Sequence, residues 1–148
     1  MADEVPYAPE RIRELPSWLL GRAAARGHRL VAEALAAEGV RMMHHAVLAS
    51  VAELGPVSQA TLSRTLRVDP KEMVAIVRDL HSEGLVHRKP DPADQRKHAI
   101  SLSPAGADLL SRTERLGAAA NNALTESLTP AERGQLIDLL NRIIAPGR

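Results

Sequence analysis

A chain of 148 residues with a formal net charge of +1 is long enough for one ordinary domain with its own core, and its bulk charge does not announce a nucleic-acid binder. Having no cysteine, it excludes disulfides, zinc–thiolate sites and thiol redox sensing. Its aromatics are Tyr7 and Trp18 alone, so the core is aliphatic, and the alanine-rich composition favours helices. No apolar run approaches ~18 residues, and the acidic start from Met1 to Tyr7 carries no apolar leader segment. The expectation is a cytoplasmic protein without a membrane partner.

Residues 1–14 mix charge with Pro6 and Pro9 and read as loose, apart from a helical turn at Glu10–Glu14. Pro16 suits the first turn of a long helix running to about Ala37. Leu15, Leu19, Leu20, Ala23, Leu30, Val31, Ala34 and Leu35 follow i, i+3/i+4 spacing there, with arginines between them. Gly39 closes this helix. A second helix, Met42–Leu54, turns Val47, Leu48 and Val51 inward and stops at Gly55-Pro56. Val57 reads as a one-residue bridge to a sheet. Ser58 then caps a short helix, Gln59–Leu66, with Leu62 and Leu66 toward the core, and Arg67-Val68 is the turn that follows. Asp69-Pro70-Lys71-Glu72 is a strong start signal: an acidic N-cap, Pro at N1 and Glu at N3, in capping-box fashion. The helix it opens turns Met73, Ile76, Val77 and Leu80 inward and ends at Gly84.

Two β-prone runs follow, Leu85–Lys89 and Lys97–Leu102, around a loop of Pro90, Asp91, Pro92, Ala93 and Asp94. Two prolines and two aspartates cannot continue a helix or a central strand, so this is a hairpin with a stiff tip. Ile100 and Leu102 alternate with Ser101, giving one buried and one wet face. Arg88 and Lys89 crowd the near side of the loop, Arg96 and Lys97 the far side. After it, Ser103-Pro104 opens a long helix to about Ser127 that carries Leu109, Leu110, Leu116, Ala120 and Leu124. Thr129-Pro130-Ala131-Glu132 repeats the capping-box pattern and begins the last helix. The fold class is therefore mainly α with a small β-hairpin wing: a winged helix-turn-helix module plus long terminal helices.

Asp94-Gln95-Arg96, five residues, then Leu102-Ser103-Pro104-Ala105-Gly106 resembles the D-x-R-x5-L-[ST]-x-x-G wing signature of the MarR family of transcriptional regulators. The preceding Leu80-His81-Ser82-Glu83-Gly84-Leu85-Val86-His87-Arg88 is similar to that family's L-E-x-x-G-L-V-x-R. In order and length the resemblance extends from about Leu15 to the C-terminus. It implies one MarR-like domain over 1–148, with 15–54 and 104–148 as a helical dimerisation region and 56–103 as a winged DNA-binding module.

A capped helix after a tight turn can lay its first turns in the major groove of DNA. The outward residues of the helix after Asp69 are Lys71, Glu72, Val74, Ala75, Arg78 and Asp79. The family typically offers Ser, Thr and Arg here; Val74 and Ala75 instead offer thymine methyls an apolar contact and no hydrogen bond. Base discrimination then rests on Lys71, with Arg78 beside it. Ser58, Gln59, Ser63 and Arg64 on the preceding helix are candidate phosphate contacts, which position without reading sequence. Ser58 is equally a plain helix cap. Arg96 at the hairpin tip suits a narrow minor groove, and Asp94 can hold it by a bidentate salt bridge. Arg88, Lys89 and Lys97 complete the set. The blander account of Asp94 and Arg96 is an ion pair that only stiffens the loop.

Leu136, Ile137, Leu140, Ile143 and Ile144 form a candidate self-association face, which closes most simply as a two-fold homodimer; the alternative is that they pack within one chain. The family resemblance implies an intertwined helical dimer. It also implies an effector pocket for small, often aromatic anions, and Trp18, Arg22, His28, His44 and His45 lie on the helices that would line it. Arg22 follows Trp18 by one turn, and an indole beside a guanidinium suits a flat anion. Equally, Trp18 is an interface anchor and Arg22 a surface charge. The six histidines show no metal-ligand spacing, and no nucleophile–base pair, phosphate loop or carboxylate dyad is present. No metal, cofactor or enzymatic activity is expected. The expectation is a DNA-binding regulator, a repressor on a palindromic operator released by a small anion; the alternative is a winged-helix module that contacts protein and no longer reads DNA.

Overall fold

The computed structural model describes residues 8–94 and 96–145; the loose start expected for 1–7 and Gln95 of the wing motif lie outside them. The chain forms two units. One is built from residues 32–118; the other joins residues 8–31 to 119–145. Helices α1 (Pro16–Ala36) and α5 (Pro104–Leu124) each contribute to both.

The 32–118 unit is the winged module. Its elements are α2 (Met42–Leu54), β1 (Val57–Ser58), α3 (Gln59–Leu66), α4 (Pro70–Ser82), β2 (Val86–Pro90) and β3 (His98–Leu102), with the first part of α5. Val47, Leu48 and Val51 of α2, Leu62 of α3, Met73, Ile76, Val77 and Leu80 of α4, and Ile100 of β3 form one buried cluster with Val86, Leu109 and Leu110. Each such aliphatic side chain contributes roughly 1.5–3 kcal/mol by leaving water. Expected with the terminal helices, α2 instead supplies three members of this core and packs against α3, α4 and β3. Its inward valines and leucine give it a place in this module.

The sheet runs β1-β3-β2, antiparallel throughout. Val57 and Val86 oppose Ile100 and Leu102 of the central strand. Three of the four hairpin strand ends fall one residue later than the sequence indicates. Leu85 is drawn back toward α4, its N–H donating to the Leu80 carbonyl at 2.9 Å. Lys97 closes the loop instead of extending the strand: its N–H donates to the Asp94 carbonyl at 2.9 Å and its carbonyl accepts from Asp91 N–H at 2.8 Å. Pro90 ends β2, an edge strand, where a missing N–H is tolerated.

The base of the wing is clamped to α5. The Ser103 hydroxyl donates to the Gly84 carbonyl at 2.6 Å and accepts from Gly106 N–H at 3.0 Å, while Ser103 N–H donates to the Leu85 carbonyl at 3.0 Å. Gly84, at φ +73°, makes the left-handed turn that carries the chain from α4 into β2.

In the other unit, Arg26 of α1 donates to the Leu124 carbonyl at 3.1 Å. The last helix, α6 (Pro130–Ile144), starts from a complete capping box: Thr129 Oγ1 accepts from Glu132 N–H at 3.2 Å, and the Glu132 carboxylate accepts from Thr129 N–H at 2.9 Å. α5 stops at Leu124, short of the expected Ser127, because Leu128 N–H turns back to the Thr125 carbonyl at 3.0 Å in a tighter turn. No described helix is long and apolar enough to cross a membrane.

Candidate nucleic-acid interface

The turn between α3 and α4 is built locally. Arg67 takes the left-handed conformation, φ 53° and ψ 47°, and its N–H donates to the Ser63 carbonyl. Val68 N–H reaches the same carbonyl at 3.0 Å, and the Val68 side chain packs against the core. Two residues after Arg67, Asp69 caps α4, accepting from Lys71 N–H at 2.8 Å. The bond runs to N2, where the sequence pattern points to N3. Four buried side chains then fix the rotation of α4 about its axis.

That rotation leaves Lys71, Glu72, Val74 and Arg78 exposed and Ala75 half-buried. Lys71, Val74 and Arg78, at i, i+3 and i+7, share one face. Val74 is 50% exposed, high for an aliphatic side chain on a helix packed into a core. Asp79 is turned partly aside, its Oδ2 lying 3.1 Å from His44 Nε2 of α2. This pair spans 35 positions in sequence and ties α4 to α2.

On α3 the hydroxyl of Ser58 accepts from Thr61 N–H at 3.1 Å, so its cap role is realised, and the side chain is half-buried like that of Gln59. Arg64 is exposed and donates to Thr61 Oγ1 at 3.2 Å. Ser63, expected among the phosphate contacts, is instead buried. It is only 7% exposed, because it follows Leu62 on the inward side of a short helix, and so offers no surface to a phosphate.

In the wing, Arg88, Lys89, Arg96 and Lys97 are all exposed. Arg96 Nε lies 3.5 Å from Asp94 Oδ1, and Arg96 N–H donates to the same oxygen at 3.1 Å. The bidentate fork expected of this pair is replaced by one guanidinium contact plus one backbone bond. The effect is similar: the chain turns at Asp94 and aims a side chain that is itself 94% exposed. Asp91 stiffens the loop too, accepting from Ala93 N–H at 2.9 Å.

Within the 8–31 and 119–145 unit, the α6 face expected to self-associate is open. Leu136, Ile137, Ile143 and Ile144 are 36–70% exposed and Leu140 is half-buried. Leu139 is open as well, at 52%, as are Leu15, Leu19 and Leu20 of the first segment. Leu139, not among the residues singled out above, lies on the same stripe, three residues after Leu136 and four before Ile143. The Arg22 guanidinium sits 5.8 Å from the Trp18 ring centroid, within cation–π range. Arg22 and His28 also border a groove of about 970 Å³ floored by Leu19, Leu20, Leu124, Leu128, Leu136 and Leu140.

His44 and His45, read with these as pocket residues, have partners inside the winged unit. His45 Nδ1 lies 2.9 Å from Thr113 Oγ1, whose hydroxyl donates to the Leu110 carbonyl at 3.1 Å. The threonine oxygen therefore accepts from the ring, and burial holds the His45 pKa below its ordinary value of 6.5 against a smaller upward pull from Glu114. Arg112 of α5 donates to Glu38 at 3.0 Å and to Asp108, pinning the loop after α1.

Comparison with known proteins agrees with this layout. The sequence model of the MarR family matches residues 38–97. A putative transcriptional regulatory protein for the hcr operon of Thauera aromatica is 32% identical over 106 residues, 72% of this chain; the chain spans 64% of that protein's length. The multiple antibiotic resistance protein MarR of Salmonella typhimurium is 30% identical over 66% of this chain and 69% of its own. Among solved structures, CouR from Rhodococcus jostii RHA1 bound to p-coumaroyl-CoA superposes with a TM-score of 0.80, 28% identity, and 91% and 95% coverage of the two chains. A cysteine-to-serine mutant of E. coli MarR in complex with operator DNA gives a TM-score of 0.80 at 26% identity, covering 87% and 93%. With six helices and a three-stranded sheet among the described residues, and the Asp94–Arg96 tip in place, the protein belongs to the MarR family of transcriptional regulators.

Proposed function

We propose that the chain acts in the cytoplasm as a homodimeric repressor, binding a palindromic operator through α4 and the wing and leaving it when a flat anion binds. The observation that carries the reading is the outward face of α4. Lys71, Val74 and Arg78 are exposed on a helix whose opposite side is locked into the core, which is what a rigid probe of a groove requires. Arg64, Arg88, Lys89 and Lys97 supply phosphate contacts, and Arg96 enters the minor groove. The operator complex of the E. coli relative supports the same use of the fold.

Dimerisation is supported by the open apolar face of α6, since a contiguous set of five large aliphatic residues in water marks a surface that a partner covers. The ligand reading is supported by Arg22 over Trp18, by the groove that Arg22 and His28 border, and by the p-coumaroyl-CoA bound to CouR. One observation favours a protein-binding module instead: Val74 is apolar and exposed where relatives typically place hydrogen-bonding residues. The cations on both sides of it argue for DNA.

A gel shift on the duplex upstream of the protein's own coding region tests the reading. Binding should be tight at low salt and weaken steeply toward physiological salt, because each phosphate contact releases counterions. Absence of binding at low salt, or affinity indifferent to salt, would overturn it.

A further inference from the structure

We infer that Val74 is a sequence-reading residue, recognising the 5-methyl group of one thymine in each operator half-site. This rests on the DNA-reading function proposed above and specifies what α4 reads. Val74 lies between Lys71 and Arg78 along the helix, three residues after the one and four before the other, and half its surface is open. The two flanking cations bring that face against a polyanion, and this selects DNA over an apolar protein groove as the surface that meets the valine. In the major groove the thymine 5-methyl is the one apolar group a base pair displays. An isopropyl side chain has no donor or acceptor with which to read any other feature. Ala75 is half-buried and shorter, so the contact falls to Val74.

The conformational state of Val74 adds to the argument. It is β-branched and helical, with a single strongly preferred rotamer, so little freedom is lost when a methyl group seats against it. Rigid apolar contact of this kind discriminates by one methyl group, a modest factor, and the dimer applies it twice.

The test uses the full chain and a duplex selected by it from an unmethylated random pool. Each thymine of the selected duplex is replaced in turn by deoxyuridine, which lacks only the methyl and pairs unchanged. At one position per half-site the replacement should weaken binding about fourfold, and about fifteenfold when both symmetry-related positions are replaced. With Val74→Ala, the ratio of affinities for the thymine and deoxyuridine duplexes at those positions should fall to near one; circular dichroism confirms the fold. Indifference to deoxyuridine at every position, or a penalty that survives in Val74→Ala, overturns this inference while leaving DNA binding intact. A chain that selects no duplex overturns the DNA-reading function itself, and this inference with it.

Discussion

Gly106 stands so close to the Leu85 carbonyl oxygen that a Cβ added to it would lie 2.1 Å away, and 2.9 Å from the Leu102 side chain. The last glycine of the wing motif is therefore a matter of space. The first turn of α5 can press onto the base of the hairpin only without a side chain there, and the Ser103 bonds hold it in place.

Gly106→Ala should cost roughly 2–3 kcal/mol, since the obstructing atom is backbone and cannot rotate away. Urea unfolding should show a lower midpoint at unchanged slope, and the melting temperature should fall on the order of 5–10 °C. An unchanged midpoint would mean that the hairpin and α5 separate freely.

Substitutions on α4 and on the wing should differ in kind. Lys71→Ala should relax preference at one position of each half-site, at roughly 1–3 kcal/mol if its base contact is good. Arg96→Ala should weaken binding across operator variants, most where A·T-rich flanks narrow the minor groove, and reduce the salt slope by about one. Asp94→Ala should do the same more mildly, because it frees Arg96 without removing its charge. Anisotropy titrations of the three variants against single-base operator changes decide the matter; full affinity in Arg96→Ala excludes the wing from the interface.

Ile143, 58% exposed, should be covered by a second copy. Ile143→Asp places a carboxylate in that contact and should weaken dimerisation at least about a hundredfold, giving monomer with native circular dichroism and no operator binding. Sedimentation of the unmodified protein at micromolar concentration supplies the control, and a monomer there would sink the claim.

Trp18 is the sole tryptophan and hence a clean reporter. Salicylate should quench its fluorescence and release operator DNA, and operator DNA must weaken salicylate binding by the same factor. Arg22→Ala should abolish both responses. Quenching without any effect on DNA affinity would mark an adventitious surface site.

His45 links stability to pH. Its folded-state pKa is lowered by burial, so below about 6.5 the unfolded chain takes up the proton more readily than the folded one. The stability it contributes is complete above 6.5, falls as pH drops through that value, and levels off below the folded pKa. His45→Asn keeps a donor for Thr113 and removes the titration. Its unfolding free energy should depend less on pH between about 7 and 5 than that of the unmodified protein, and equal dependence would contradict the assignment.

Much of this was legible from local chemistry. α2 and α3 fall where the sequence places them, because Gly55-Pro56 and Ser58 punctuate the chain unambiguously. The inward face of α4 follows from its spacing alone. Ser63 was misplaced because eight residues are too few for periodicity to settle which neighbour of Leu62 is covered; that depends on what packs above it. The hairpin ends shifted because Lys97 and Leu85 have partners outside the ladder. The His44–Asp79 and His45–Thr113 bonds join residues 35 and 68 positions apart, and no local pattern encodes such pairings.

The strand order also bears on how the protein survives at high concentration. β2 is an edge strand, and an open edge is a template onto which another chain can add. Its outer residues are His87, Arg88, Lys89 and Pro90, all exposed. Repelling cations and a residue without an N–H are the means by which such edges resist templated growth. The cations proposed to grip phosphate thus also keep neighbouring molecules from stitching together. Removing Arg88 and Lys89 together would cost solubility as well as affinity, so a loss of operator binding in that double variant must be judged against its tendency to aggregate.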